Sequence, residues 1–130
     1  NPARVHGGVA FGPKPRKYKL KVNKKVKRLA KKSVLSQKLI DKKLIIIDQF
    51  VLDSHKTKDL MEILNKFELK NIKTTILLNK VDTNTLLSSR NIKNIYLSDV
   101  STASTLDLLD CEILLIDKDS ADYYNKTLMK

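Results

Sequence analysis

Glu112-Ile-Leu-Leu-Ile-Asp117 is an apolar run of strand length closed by an acid. Three other stretches share its form: Leu44-Ile-Ile-Ile-Asp48, Thr74-Thr-Ile-Leu-Leu-Asn79 and Asn94-Ile-Tyr-Leu-Ser98. Unbroken apolar runs of this length are expected where a strand is covered on both faces, as in a parallel sheet, whereas a strand with one wet face alternates. Helical spacing fills the gaps. Leu60, Met61, Ile63, Leu64 and Phe67 recur with a helical period, 84–90 and 104–109 read as shorter helices, and 119–130 reads as a last one. The alternation predicts an α/β fold, a three-layer sandwich around a mainly parallel four-stranded sheet.

Upstream of these units the texture changes. Residues 1–43 carry 15 lysines and arginines against a single acid, Asp41, while residues 44–130 carry 11 basic and 13 acidic side chains. The net charge of +12 is therefore a pole, and a pole attracts polyanions more strongly than an evenly basic surface does. Residues 1–22 contain all three glycines (Gly7, Gly8, Gly12) and all three prolines, with no helical or strand period. They read as a basic extended tail with little to bury, whose glycines permit unusual backbone angles and close approach to another surface. Residues 23–130 read as the α/β domain, opened by a basic amphipathic helix of about five turns with Asn23 as N-cap. On a helical wheel Val22, Val26, Leu29, Ala30, Val34 and Ile40 share an arc of about 140°, the expected core face. Lys24, Lys25, Lys27, Arg28, Lys31, Lys32 and Lys38 take the other side, and Leu35 and Leu39 break the pattern. Lys24, Lys25 and Lys27 put positive charge where the helix dipole is already positive, which makes sense only beside an external anion.

Length and composition bound the rest. A chain of 130 residues with 42% apolar content suits one domain with a real core. No apolar run reaches the roughly 20 residues of a bilayer span and no secretion signal is visible, so a soluble protein is expected. Cys111 lies in an apolar run and reads as a small core residue, in keeping with a reducing compartment.

The sheet's carboxyl ends, where open α/β folds often bind ligands, present Asp48, Asn79, Ser98 and Asp117. Neither a dinucleotide nor a phosphate-loop fingerprint is present, because the chain has no glycine after residue 12. Asp48, Asp117 and Asp119 form the alternative reading, a magnesium-dependent nucleic-acid enzyme; against it stands an ordinary strand-to-helix turn capped by Asp119 or Ser120. His6 and His55 lack ligand spacing, and Ser33, Ser36 and Ser54 lack a nucleophile elbow, so no metal, cofactor or catalytic residue is expected. An anionic membrane is the weaker polyanion, since the helix has no Trp or Phe on its apolar side. With only Phe11 and Tyr18 near the pole and lysines outnumbering arginines, phosphate contact with folded RNA is favoured over base stacking.

The run Gly7-Gly-Val-Ala-Phe-Gly-Pro-Lys-Pro-Arg-Lys-Tyr18, followed by Lys21-Val-Asn-Lys-Lys-Val-Lys-Arg-Leu-Ala-Lys-Lys-Ser-Val-Leu-Ser36, closely resembles the bacterial and organellar form of large-subunit ribosomal protein four. Lys56-Thr-Lys58 and Ser89-Arg-Asn91 agree in order, so the resemblance covers the whole chain as the C-terminal two-thirds of that family. Ala3-Arg-Val-His6 departs from the family's pattern. The resemblance implies a structural constituent of the large ribosomal subunit that organises ribosomal RNA during assembly. It also implies neighbouring ribosomal proteins as partners, with no membrane and no small-molecule substrate. The resemblance begins where the family's exit-tunnel loop returns to the body, so the loop's tip and the family's first strand and first helix are absent from this sequence, and any part in the tunnel wall would come through that loop. The implied location is a ribosome in the bacterial cytoplasm or in an organelle, in keeping with a Lys, Ile and Asn usage that suggests an AT-rich genome. The RNA-binding set comprises Arg4, His6, Gly7, Gly8, Gly12, Lys14, Arg16, Lys17, Lys19 and Lys21 in the tail, and Lys24, Lys25, Lys27, Arg28, Lys31 and Lys32 in the helix.

Overall fold

The four apolar runs form one sheet. In the computed structural model, which describes residues 1–129, strands β1 (Leu44–Ile47), β2 (Thr74–Leu78), β3 (Ile95–Asp99) and β4 (Ile113–Asp117) pair in the order β1-β4-β2-β3. Every pairing is parallel, so the sheet is wholly rather than mainly parallel. Leu114 and Leu115 of β4 lie opposite Leu44 and Ile45 of β1 on one side, and Thr75 and Ile76 of β2 on the other.

Five helices complete the element order: α1 (Lys24–Ile40), α2 (Thr57–Lys66), α3 (Thr83–Ser89), α4 (Thr105–Leu109) and α5 (Lys118–Leu128). Right-handed crossovers assign the layers. From β1 to β2 to β3 the chain moves one way across the sheet, which puts α2 and α3 on one face; from β3 back to β4 it reverses, which puts α4 on the other. The core divides accordingly. Leu77, Leu114 and Ile116 pack with Val100, Leu108, Tyr124 and Leu128, with Val34 and Leu35 of α1 against them. Ile76, Leu78 and Leu115 pack with Leu52, Leu60, Leu64 and Leu69. The alternation of Leu114, Leu115 and Ile116 between the two clusters is why β4 carries no polar residue before Asp117.

Without glycine, two helix ends use other residues in the left-handed region. Lys42 (φ 56°) closes α1, with the N–H groups of Lys42 and Lys43 donating to the carbonyls of Leu39 (3.1 Å) and Lys38 (2.9 Å). Glu68 (φ 59°) closes α2 through the matching pair of bonds from Glu68 and Leu69 to Asn65 (3.0 Å) and Leu64 (2.9 Å). Both are Schellman motifs, normally the place of glycine.

The register of α1 overturns the expected core face. Val26, Leu29 and Ile40 are 54%, 64% and 74% exposed, and Val22 and Ala30 are exposed as well. Lys31, Val34, Leu35 and Lys38, at positions i, i+3, i+4 and i+7, face the body instead. This face lies about 120° round the helix from the expected arc. Wheel patterning treats lysine as outward, yet a lysine stem is apolar and its ammonium can end on carbonyl oxygens. Leu35, which broke the expected pattern, is a packed residue. No helix among the described residues is long and apolar enough to cross a membrane.

Leu29→Ala should leave stability within about 0.5 kcal/mol of the parent in urea denaturation, while Leu115→Ala, wholly buried, should cost about 2–5 kcal/mol. A costly Leu29→Ala would restore the expected register. Burial, reinforced by the charges of Tyr123, Asp107 and Asp99, pushes the Tyr124 hydroxyl up from 10.0 to about 12. The folded state thus holds that proton more tightly, so the associated stability is present below pH 10 and lost as pH rises toward 12. Urea midpoints taken across that window should fall less steeply for Tyr124→Phe than for the parent.

Candidate nucleic-acid interface

Residues 1–22 contain no helix or strand, and every one is exposed. The first seven coil into two turns, with the N–H of Arg4 donating to Asn1 O (3.1 Å) and that of Gly7 to Arg4 O (2.8 Å). His6 supplies the left-handed step at φ 59°. A Cβ on Gly7 would stand 2.0 Å from Asn1 O and 2.8 Å from Arg4 O, so only glycine closes this coil. The expected use of glycine for unusual angles is not observed, since no glycine has a positive φ. Gly8 and Gly12 face open space, with nothing within 4 Å of where a side chain would begin. The Arg16 guanidinium stacks 4.5 Å from the centre of the Tyr18 ring, a cation–π contact that ties two tail side chains together.

At Asn23 the chain enters α1 from an extended backbone (φ −62°, ψ 146°). Asn23 occupies the N-cap position as expected, but its side chain accepts no hydrogen bond from the first turn. The first turn contains no acid, and its N–H groups have no side-chain cap to offset Lys24, Lys25 and Lys27. Every residue from 21 to 30 is exposed, so the first half of α1 stands clear of the body. Lys25, Arg28 and Lys32 line a shallow cleft of about 260 Å³ together with Leu29.

Among the described residues the cations of this pole form no ion pair with an acid. Among the described residues the one ion pair is Lys73–Asp110 (2.6 Å), on the exposed surface and outside the pole. Asp41, the pole's single acid, accepts from the Gln37 side-chain amide at 2.9 Å. Lys31 departs from the expected set: its ammonium donates to the carbonyl of Ala103, so it points inward while Lys24, Lys25, Lys27, Arg28 and Lys32 stay in solvent. Lys38, read as outward from the sequence, is buried and donates to the carbonyls of Cys111 and Glu112 (3.3 Å for the latter). The signal for both was their spacing with Val34 and Leu35 on one helical face, hidden by their charge.

At the carboxyl ends of the strands the acids do structural work. Asp117 is the N-cap of α5: one carboxylate oxygen accepts from Ser120 N (2.8 Å) and the other from Asn79 N (3.3 Å). The expected cap, Asp119 or Ser120, therefore lies two or three residues too late. Asp48 and Asp119 are exposed, and the described residues contain no group of three or more His, Cys, Asp or Glu side chains arranged to hold a metal ion. Ser54 belongs to the start of α2, bonded to Asp59, and Ser33 bonds back to Leu29 O at 3.1 Å within α1.

Comparison with known proteins bears on this geometry. A family model described as the Ribosomal protein L4/L1 family matches residues 1–127. Proteins named large ribosomal subunit protein uL4 are similar over nearly all of the chain. That of Phytoplasma mali is 43% identical over 122 residues, covering 94% of this chain and 58% of the relative. That of Cytophaga hutchinsonii is 41% identical over 120 residues, covering 92% and 58%. That of Halothermothrix orenii is 37% identical over 130 residues, covering 100% and 62%. The chain thus spans about three-fifths of the length of the curated relatives it matches.

Asp117→Ala should lower stability by about 0.5–2 kcal/mol, the range for a lost helix cap, and by the same amount with and without magnesium ion. Urea denaturation in both buffers checks this. A loss that appears only with magnesium would revive the metal reading.

Proposed function

Because the chain belongs to the Ribosomal protein L4/L1 family, we propose that it is a structural, non-enzymatic constituent of the large ribosomal subunit that binds and organises that subunit's RNA. The observation that carries the reading is the segregation of exposed, acid-free positive charge in a chain of this family. Among the described residues no carboxylate forms an ion pair with a cation of the pole, so its charge is left uncompensated. Phosphates compensate that charge, and release of their counterions supplies a favourable, salt-dependent free energy.

The two parts of the pole act differently. Residues 1–22 are a thread that orders along RNA, with Arg4, His6, Lys14, Arg16, Lys17, Lys19 and Lys21 meeting phosphate. Gly7 holds the first coil, and Gly8 and Gly12 leave room for a sugar-phosphate backbone to approach. The first turn of α1 offers Lys24, Lys25 and Lys27 beside uncapped N–H groups, a combination suited to one or more phosphates. Arg28 and Lys32 extend the contact along the outer side, and Lys31 acts from within as an anchor. Residues 23–130 are the domain that carries this surface and on which neighbouring ribosomal proteins dock. No cofactor is needed for such a role, and the place of work is a ribosome in a bacterial cytoplasm or an organelle.

Titration of the protein against a structured fragment of large-subunit ribosomal RNA at several salt concentrations tests the reading. Affinity should fall steeply with salt, at about 0.7–0.9 in log–log slope per phosphate neutralised. Replacing Lys24, Lys25 and Lys27 together by Gln should flatten the slope by about two and leave the urea midpoint unchanged or slightly raised, since it removes charge that opposes the helix dipole. A salt-independent affinity contradicts the proposal.

A further inference from the structure

Lys38 is the one charged side chain buried among the described residues, with 8% of its surface exposed. It lies in the last turn of a helix whose first half is exposed, and its ammonium donates to the carbonyls of Cys111 and Glu112, at the entry to the central strand β4. Two turns earlier on the same face, Lys31 donates to Ala103 O, at the entry to α4. Only two apolar side chains, Val34 and Leu35, pack between these points, and neither is fully buried. Apolar packing is not directional, and this patch is small. Hydrogen bonds from two ammonium groups to fixed main-chain oxygens are directional, and a charged donor gives the stronger kind.

We infer that Lys38, with Lys31, is a positioning residue for RNA binding: the two ammonium groups set the direction and rotation of α1 without meeting phosphate themselves. The inference rests on the RNA-binding reading above and adds to it which basic residues work from inside. Lys24, at the start of α1, lies about ten residues, or about 15 Å, from the midpoint between Lys31 and Lys38. A tilt of about 20° at the anchor would carry Lys24 and Lys25 through about 5 Å, enough to break a hydrogen bond to a phosphate while leaving the charge within a Debye length of about 8–10 Å, so that the contact is lost and counterion release persists. Loss of rotation would do as much, since Lys25, Arg28 and Lys32 share one side. A buried ammonium on main-chain oxygens is thus what converts a flexible charged helix into a surface with fixed spacing. A phosphate-contacting lysine and a positioning lysine differ in what their loss does to the salt response. Removing the first lowers the number of counterions released; removing the second weakens binding at every salt concentration alike.

The test compares the parent with Lys38→Met, Lys38→Arg and Lys32→Gln in the same RNA titrations, each first shown by circular dichroism and urea denaturation to be folded under the assay conditions. Lys38→Met should bind about tenfold more weakly with the parent's salt slope, and Lys38→Arg, which keeps a cationic donor, should recover part of the loss. Lys32→Gln should flatten the slope by about 0.7–0.9. A slope change of that size for Lys38→Met, or unaltered affinity in that folded variant, overturns the inference. If Lys38→Met does not fold, Lys31→Met at the outer anchor decides by the same criterion. A parent whose affinity ignores salt would instead refute the RNA-binding reading on which the inference stands.

Discussion

The carbonyl oxygens of Ala103, Cys111 and Glu112 hold two lysines of α1, and that contact fixes how a strongly basic element meets an apolar body. Charges do not enter an interior without partners. Here the partners are main-chain oxygens at the loops flanking α4, so no carboxylate is used and the basic pole keeps its net charge. The opposite side of the same helix is left to solvent, with Val26 and Leu29 exposed beside Lys25, Arg28 and Lys32. The direction in which positive charge is presented therefore follows from an interaction among uncharged backbone groups and two ammonium ions.

That anchor works because the sheet beneath it is rigid. β4 lies between β1 and β2 and sends alternate side chains into two separate cores, one under α1, α4 and α5 and the other under α2 and α3. Its entry residues, Cys111 and Glu112, are held by the strand that follows and by the bond from Glu112 N to Lys73 O at 2.8 Å. At its exit Asp117 caps α5 and reaches across to Asn79, the residue after β2. The carboxyl end of the sheet, a ligand site in many α/β proteins, is thereby given over to joining strand to helix, and the chain's chemistry moves to the other extreme of its sequence.

The fold was legible in the sequence because its strands are buried on both faces. Runs such as Leu114-Leu115-Ile116 admit few other readings, and the observed strands fall within a residue of the apolar runs. The rotation of α1 was not legible. Wheel analysis places apolar residues inward and charges outward, whereas Lys31 and Lys38 reach inward and Leu29 and Ile40 do not. Their carbonyl partners lie about 70 residues away in sequence, so no local pattern encodes them. The cap of α5 was missed by a small margin, since Asp117, Asp119 and Ser120 are all competent and only the turn geometry selects among them. For the candidate interface, the outward lysines could be read from charge segregation alone, and the division between solvent-facing and anchoring lysines could not.

Charge segregation in a chain of the Ribosomal protein L4/L1 family implies a destination as well as a chemistry. Under the proposed function, the tail and the outer side of α1 gain their partner where dense, folded RNA is present, as in the large ribosomal subunit. Sedimentation of a tagged form of the protein in a cell lysate at moderate salt tests this most directly. The account predicts co-migration with the large ribosomal subunit, lost at high salt and lost when Lys24, Lys25 and Lys27 are replaced by Gln. Protein that remains at the top of the gradient, or that travels with the small subunit alone, would contradict it.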